Sequence, residues 1–245
     1  MNEKIPKIIH YFWFGKNKMP DIFLECIKSW QKYCPDYKII KWDEENFDVN
    51  ICNYTKQAYE QKKYAFVSDY ARFYILKKYG GIYLDIDVEI LKPIDELLEQ
   101  ECFCGRENNS NFVATGLIIA ARPNNKFVNS MLNYYNEQEK FENGTHTVCT
   151  IASNILEKEY DFDIDNISEI QKLDNVTIYP AEYFCGYDMI ARKKMITENT
   201  YSVHHYNSSW LGPKDKIVNF IRRIVYKTIG KKNYTKLKQK FKKRK

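Results

Sequence analysis

The stretch Tyr79-Gly-Gly-Ile-Tyr-Leu-Asp85-Ile-Asp87-Val88 decides how this chain is read. It reads as a short buried strand ending in two carboxylates two residues apart. Strand side chains alternate, so Asp85 and Asp87 are expected on one face. Two adjacent carboxylates repel unless positive charge lies beside them. A hard divalent cation, Mg²⁺ or Mn²⁺, suits such oxygen ligands and commonly completes its shell with phosphate oxygens. The chemistry suggested is metal-assisted transfer from a phosphorylated donor. Taken alone, an Asp-x-Asp is also compatible with a solvated acidic turn.

Working outward, Gly80-Gly81 stops a helix that runs to Tyr79. Ser68 is placed as its N-cap and Asp69 in its first turn, where the helix dipole favours negative charge. Upstream, Ile5–Phe14 reads as a buried first strand, and Pro20 opens a helix with Phe23, Ile27 and Trp30 on one face. Tyr37–Trp42 is a second strand and 56–63 a helix. Downstream, Pro93 ends the Asp-bearing strand and a short helix covers Ile94–Leu98. Strands are expected over Phe112–Ala121, Val176–Tyr179 and Ser202–Tyr206, and helices over 126–138 and 148–156. Alternating strands and helices give an α/β domain with a mostly parallel central sheet flanked by helices.

Of the 245 residues, 44% are apolar, enough for a sizeable core, and 16% are aromatic. No stretch approaches the ~18–20 apolar residues of a membrane span, and no signal-peptide pattern is read at the start. Seven scattered cysteines, with no Cys-x-x-Cys pair, read as reduced structural thiols in a cytosolic protein. Abundant Lys, Asn, Ile and Tyr suggest an AT-rich, bacterial coding genome. Residues 214–245 carry fourteen Lys/Arg against the single acid Asp215, so the rest of the chain is net acidic although the whole is +6. The domain boundary is therefore drawn between 1–213, a catalytic domain, and 214–245, a basic amphipathic tail. Ile217, Phe220, Ile221, Ile224 and Val225 form a stripe in that tail suited to an anionic membrane surface. A solvated terminus is the plainer alternative, and nucleic-acid binding is disfavoured by the acidic body.

Asp69 and Arg72 are three apart and share a helix face. They are either a surface ion pair worth little or part of the cleft at the carboxyl ends of the strands, where open α/β sheets bind ligands. In the cleft, Asp69 would accept sugar hydroxyls and Arg72 would hold phosphate or sugar oxygens.

Val67-Ser-Asp-Tyr-Ala-Arg72 followed by Tyr79-Gly-Gly-Ile-Tyr-Leu-Asp-Ile-Asp87 resembles the DXD-containing glycosyltransferases of family 32, the Och1-like enzymes and their bacterial capsule and lipopolysaccharide relatives. The core of clostridial glucosylating toxins is a more distant likeness. The opening Ile5-Pro-Lys-Ile-Ile-His-Tyr-Phe-Trp13 and the late Val203-His-His-Tyr-Asn-Ser-Ser-Trp210 fit the same pattern. The likeness covers about residues 5–210 and departs from it near Gly144-Thr-His-Thr147, where many members carry Gly-Pro.

The resemblance implies a GT-A type nucleotide-sugar-binding fold, Mn²⁺ or Mg²⁺, and retention of anomeric configuration. It implies Asp87 as direct metal ligand and Asp85 on the metal or the donor ribose. Trp13 would stack on the nucleobase, and Asp69 and Arg72 would grip the donor sugar. Asp69, Arg72 and Asp85 are the expected catalytic residues, and Ser208 and Trp210 join the donor site. Of the two histidines only one can reach the metal: the spacing to Ser208 and Trp210 favours His205, other members of the family favour the first, His204, and the one left over packs. His10 is read as structural. The expected donor is a UDP-hexose, then GDP-mannose, and the acceptor a lipid-linked or other oligosaccharide of a cell-surface polysaccharide. The protein would work in the cytoplasm at the inner face of the membrane, with no nucleic-acid partner. A non-catalytic nucleotide-sugar-binding module or a peripheral membrane scaffold is the alternative.

Overall fold

Residues 8–12 form β1 (Ile8–Phe12), whose side chains feed two different apolar layers: Ile9 and Tyr11 enter one and Phe12 the other. The same split recurs at Ile82 and Tyr83, at Phe103 and Cys104, and at Ala120 and Ile119. Strands apolar on both faces must be covered from both sides, which is why helices flank this sheet. The computed structural model describes residues 4–108, 110–142, 147–188, 191, 193–206, 218, 224–226, 228 and 230.

After β1 come α1 (Asp21–Tyr33), β2 (Lys38–Trp42), α2 (Asn53–Glu60) and α3 (Tyr64–Tyr79). Next follow β3 (Gly81–Tyr83), β4 (Val88–Ile90), a 3-10 turn at Asp95–Glu99, β5 (Cys102–Gly105) and β6 (Ile119–Ala121). The chain continues through α4 (Lys126–Asn136), α5 (Val148–Glu159), β7 (Gln171–Lys172), β8 (Thr177–Tyr179) and α6 (Ala181–Phe184). β9 (Tyr187–Asp188), β10 (Lys193–Lys194) and β11 (Ser202–His204) close the described order. The main sheet runs β2-β1-β3-β6-β5-β8-β7, with β6 and β7 reversed against the other strands. It is thus the mostly parallel α/β sheet expected. Two small pairs, β9 with β10 and β4 with β11, are antiparallel.

α1 covers one layer through Cys26 and Trp30, and the Trp30 indole donates to the Val88 carbonyl at 2.7 Å. α3, α4 and α5 cover the other through residues such as Phe73, Phe127 and Ile151.

Several elements depart from the sequence reading. α3 starts at Tyr64, so Ser68 is not its cap but lies inside the helix, its hydroxyl donating to the Tyr64 carbonyl at 3.2 Å. Burial of Val67, Tyr70 and Ala71 draws the preceding turn into the helix, where core packing outweighs capping chemistry. Of the strand expected over Phe112–Ala121, only Ile119–Ala121 forms; Val113 makes an isolated bridge to Arg106. The helix expected from 56 begins at Asn53, because Tyr54 and Thr55 are buried with Ala58.

The α3-to-β3 turn is pinned by His10. Its Nε2–H donates to the Gly80 carbonyl at 2.9 Å, and its Nδ1 accepts from the Trp42 indole at 3.1 Å. Burial lowers its pKa to about 4, so the ring is neutral and structural, as expected. Gly81 has φ +99°, and a Cβ there would stand 2.7 Å from the Ile8 carbonyl oxygen. Only glycine allows β3 to enter the sheet this close to β1.

Candidate active site

The two aspartates meet through a turn rather than through strand alternation. β3 ends at Tyr83, and Val88 N–H donates to the Asp85 carbonyl at 3.0 Å, closing a turn over 85–88. Asp85 N–H donates to the Gly116 carbonyl at 3.0 Å, which fixes the turn against the loop before β6. The expected juxtaposition holds, but its cause is corrected: a closed turn, not a pleated strand, aims both carboxylates at one place.

β11 lies antiparallel to β4, with His204 opposite Val88. His204 Nε2 is thereby 2.9 Å from Asp87 Oδ1 and 3.8 Å from Asp85 Oδ2. His205 Nε2 lies instead 3.0 Å from Glu89 Oε2, a carboxylate that also meets Lys194. The expectation that His205 is the histidine beside the aspartates is therefore corrected to His204. Neighbouring residues at a strand end face opposite ways, so only one can turn toward the pair, and the β4 register selects the first. Asp85, Asp87 and His204 present ligand atoms all within 4.8 Å of one another.

Arg72 and Asp69 stand beside this trio, not on the surface. Arg72 is 3% exposed because α3 is buried on more than one side. Its Nη2 meets Asp69 Oδ1 at 2.6 Å and Asp85 Oδ1 at 3.7 Å, and its Nε donates to the Ser68 carbonyl at 3.1 Å. The guanidinium lies 4.5 Å over the Tyr83 ring, and the Tyr83 hydroxyl donates to Asp85 Oδ1. Nη1 is buried without a hydrogen-bond partner among the described residues, and so is His204 Nδ1. Buried donors are normally satisfied, so an open guanidinium nitrogen beside a carboxylate fits a polar ligand.

Burial raises the Asp69 pKa to about 7, with Asp85 adding to the rise and Arg72 opposing it. Burial alone would lower His204, but the carboxylate of Asp87, then that of Asp85, overrides it and raises its pKa. Burial pushes the Cys149 thiol far up, so it is no thiolate nucleophile.

Trp13 follows β1, half-buried, with its edge against Phe23 (centroids 5.5 Å apart) and its Nε1 donating to the Asn17 carbonyl at 2.8 Å. It lies at the same sheet end as the Asp85 turn, since Leu84 N–H donates to the His10 carbonyl at 3.2 Å. Ser208 and Trp210 lie outside the described residues, as does most of 214–245. Sequence reasoning missed Tyr83, Gly116 and Glu107. Glu107 follows β5, accepts from Ser110 Oγ at 2.7 Å, and adds negative field at His204 and Cys149. An acid just past a strand's carboxyl end was the one signal available for it.

Two carboxylates and one imidazole form a mixed oxygen and nitrogen set that Mn²⁺ accepts readily and Mg²⁺ tolerates. The residues present fit such an ion, with Asp85, Asp87 and His204 as the groups that would hold it.

Residues 20–104 match the family described as "Glycosyltransferase sugar-binding region containing DXD motif". The matched segment runs from the residue before α1 into β5 and includes the Asp85-Ile-Asp87 motif. It is 32% identical over 112 residues to inositol phosphoceramide mannosyltransferase 1 of Schizosaccharomyces pombe, covering 41% of this chain and 34% of that protein. The chain thus spans about a third of the length of that curated relative. An uncharacterized glycosyltransferase of Acanthamoeba polyphaga mimivirus is 26% identical over 223 residues, 84% of either chain. Among solved structures, the PaToxG glycosyltransferase is similar at TM-score 0.48 and 23% identity, over 64% of this chain and 70% of that one.

Proposed function

We propose that this protein is a metal-dependent, retaining glycosyltransferase that moves a hexose from a nucleotide-sugar donor to a saccharide acceptor. One observation carries the reading: within the DXD region and beside it, Asp85, Asp87 and His204 converge next to a buried Arg72 whose Nη1 has no partner among the described residues. A bound Mn²⁺ or Mg²⁺ supplies charge neutralisation for the departing diphosphate. Arg72 offers Nη1 to donor oxygens while Asp69 and Ser68 lock the other edge of its guanidinium. Asp69 accepts hydrogen bonds from donor-sugar hydroxyls, and Asp85 faces the ion or the donor ribose. The sugar passes through an oxocarbenium-like state, and the acceptor hydroxyl attacks the same face, losing its proton to the leaving phosphate.

The relatives named as mannosyltransferases support GDP-mannose as a donor to test beside UDP-hexoses. The name of the first, an inositol phosphoceramide mannosyltransferase, supports a lipid-borne acceptor. The cellular setting proposed is cell-surface polysaccharide synthesis at a membrane, with the basic tail 214–245 holding the enzyme to anionic lipid. No helix among the described residues is long and apolar enough to cross a membrane. The test is a screen of nucleotide sugars for hydrolysis and transfer, with Mn²⁺, with Mg²⁺ and with chelator. Metal-dependent turnover of at least one donor is expected. Donor binding without turnover of any donor or acceptor would replace the enzyme by a binding module.

A further inference from the structure

Gly116 sits in the loop before β6, in contact with the two groups on which the proposed function rests. Its carbonyl holds the Asp85 N–H at 3.0 Å. A Cβ built on Gly116 would stand 2.3 Å from Asp85 Oδ2, 3.0 Å from Asp85 Cγ and 3.4 Å from Arg72 Nη1. Its φ lies outside the left-handed region, so an alanine meets no backbone objection. The obstacle is wholly the Asp85 carboxylate, the far end of a side chain that can turn.

That carboxylate has little other freedom in its present position. Oδ1 accepts from Tyr83 and faces Arg72 Nη2, and Oδ2 faces His204. We propose that Gly116 is a positioning residue: its missing side chain fixes where the Asp85 carboxylate stands beside Arg72. This rests on the glycosyltransferase reading above. A methyl group here turns Oδ2 away from His204 and Asp87, and with it Oδ1 away from Tyr83. Gly116 touches neither product nor leaving group in this account and acts through Asp85 and Arg72.

A double-mutant cycle of Gly116→Ala and Asp85→Ala tests it, read by thermal unfolding without ligand and by Mn²⁺ binding in electron paramagnetic resonance. With Asp85 present, Gly116→Ala should lower Tm by about 2–4 °C, a loss of about one small contact. It should also weaken Mn²⁺ binding roughly tenfold or more, as misplaced ligands do. In the Asp85→Ala background, which itself removes one of the groups that would hold the ion, the Tm change should vanish, because coupled neighbours are non-additive. Equal losses in both backgrounds, or unchanged Mn²⁺ affinity in Gly116→Ala, would overturn the proposal. If the wild-type protein binds no Mn²⁺, the metal reading fails, and the unfolding cycle alone still decides whether Gly116 places Asp85.

Discussion

His204 Nε2 lies 2.9 Å from Asp87 Oδ1 although 117 residues separate them. The contact exists because β11 pairs antiparallel with β4, the strand that leaves the aspartate turn. It places an imidazole where two carboxylates would otherwise repel, and it completes the candidate ion-holding trio from a distant part of the chain.

The two histidines should therefore differ. His204→Ala should weaken Mn²⁺ binding by about 10–100-fold, the scale of losing a group that holds or orients a metal ligand. His205→Ala removes, among the described residues, the Glu89 partner and should leave affinity within a few-fold of wild type. Mn²⁺ titration of both variants checks this; equal losses, or the reverse order, would restore His205.

Asp87→Asn should abolish metal-dependent donor turnover and leave the fold in place. The amide keeps the shape but loses the ligand charge that a hard cation requires. Thermal unfolding and Mn²⁺-dependent turnover measured on one preparation decide it; wild-type turnover would remove Asp87 from the metal.

Arg72→Lys keeps the charge yet should lower kcat by about 100-fold or more. The guanidinium meets the Ser68 carbonyl and Asp69 at once and still presents Nη1, whereas an ammonium has no planar fork. Steady-state kinetics with a responsive donor suffice, and near-normal kcat would make Arg72 a packing residue only.

His10 gives a pH dependence of stability. Its folded pKa is lowered from 6.5 to about 4 by burial, so the unfolded chain binds more protons between those values. Stability from the neutral ring is fully present above about pH 6.5 and is lost as pH falls through 4, on the order of 3 kcal/mol if the whole shift is realised. Denaturant titrations from pH 7 to 4 should show this loss, with a shallower slope in His10→Gln. Identical slopes in the two proteins would place the acid sensitivity elsewhere.

The basic tail should bind anionic vesicles in a salt-dependent way, each Lys or Arg near the surface adding about 1 kcal/mol. Of the proposed stripe, Ile224 is 52% exposed and Val225 is half-buried. A chain ending at Gly212 should lose vesicle sedimentation and keep donor hydrolysis. Equal sedimentation of both chains, or binding indifferent to salt, would refute the membrane role.

Some of this was legible in the sequence because it depends on neighbours in the chain. The apolar, β-rich run Ile5–Phe14, the glycine stop after Tyr79 and the Asp85/Asp87 spacing are local signals, and they determined the α/β class and the position of the acidic pair. Asp69 and Arg72 were readable as a pair because three residues of helix bring them together. What the tertiary structure decided depends on packing and register. Whether Arg72 is a surface ion pair or a buried donor follows from α3 being enclosed, and no charge pattern in the chain reports that. Whether His204 or His205 meets the aspartates follows from the β4–β11 register, since a one-residue slip exchanges the faces. Gly116 and Asp85 are far apart in sequence, and only the folded loop brings a missing Cβ against a carboxylate. Long-range contacts of this kind are set by how the two apolar layers close over the sheet, and for that reason the chain's own spacing does not contain them.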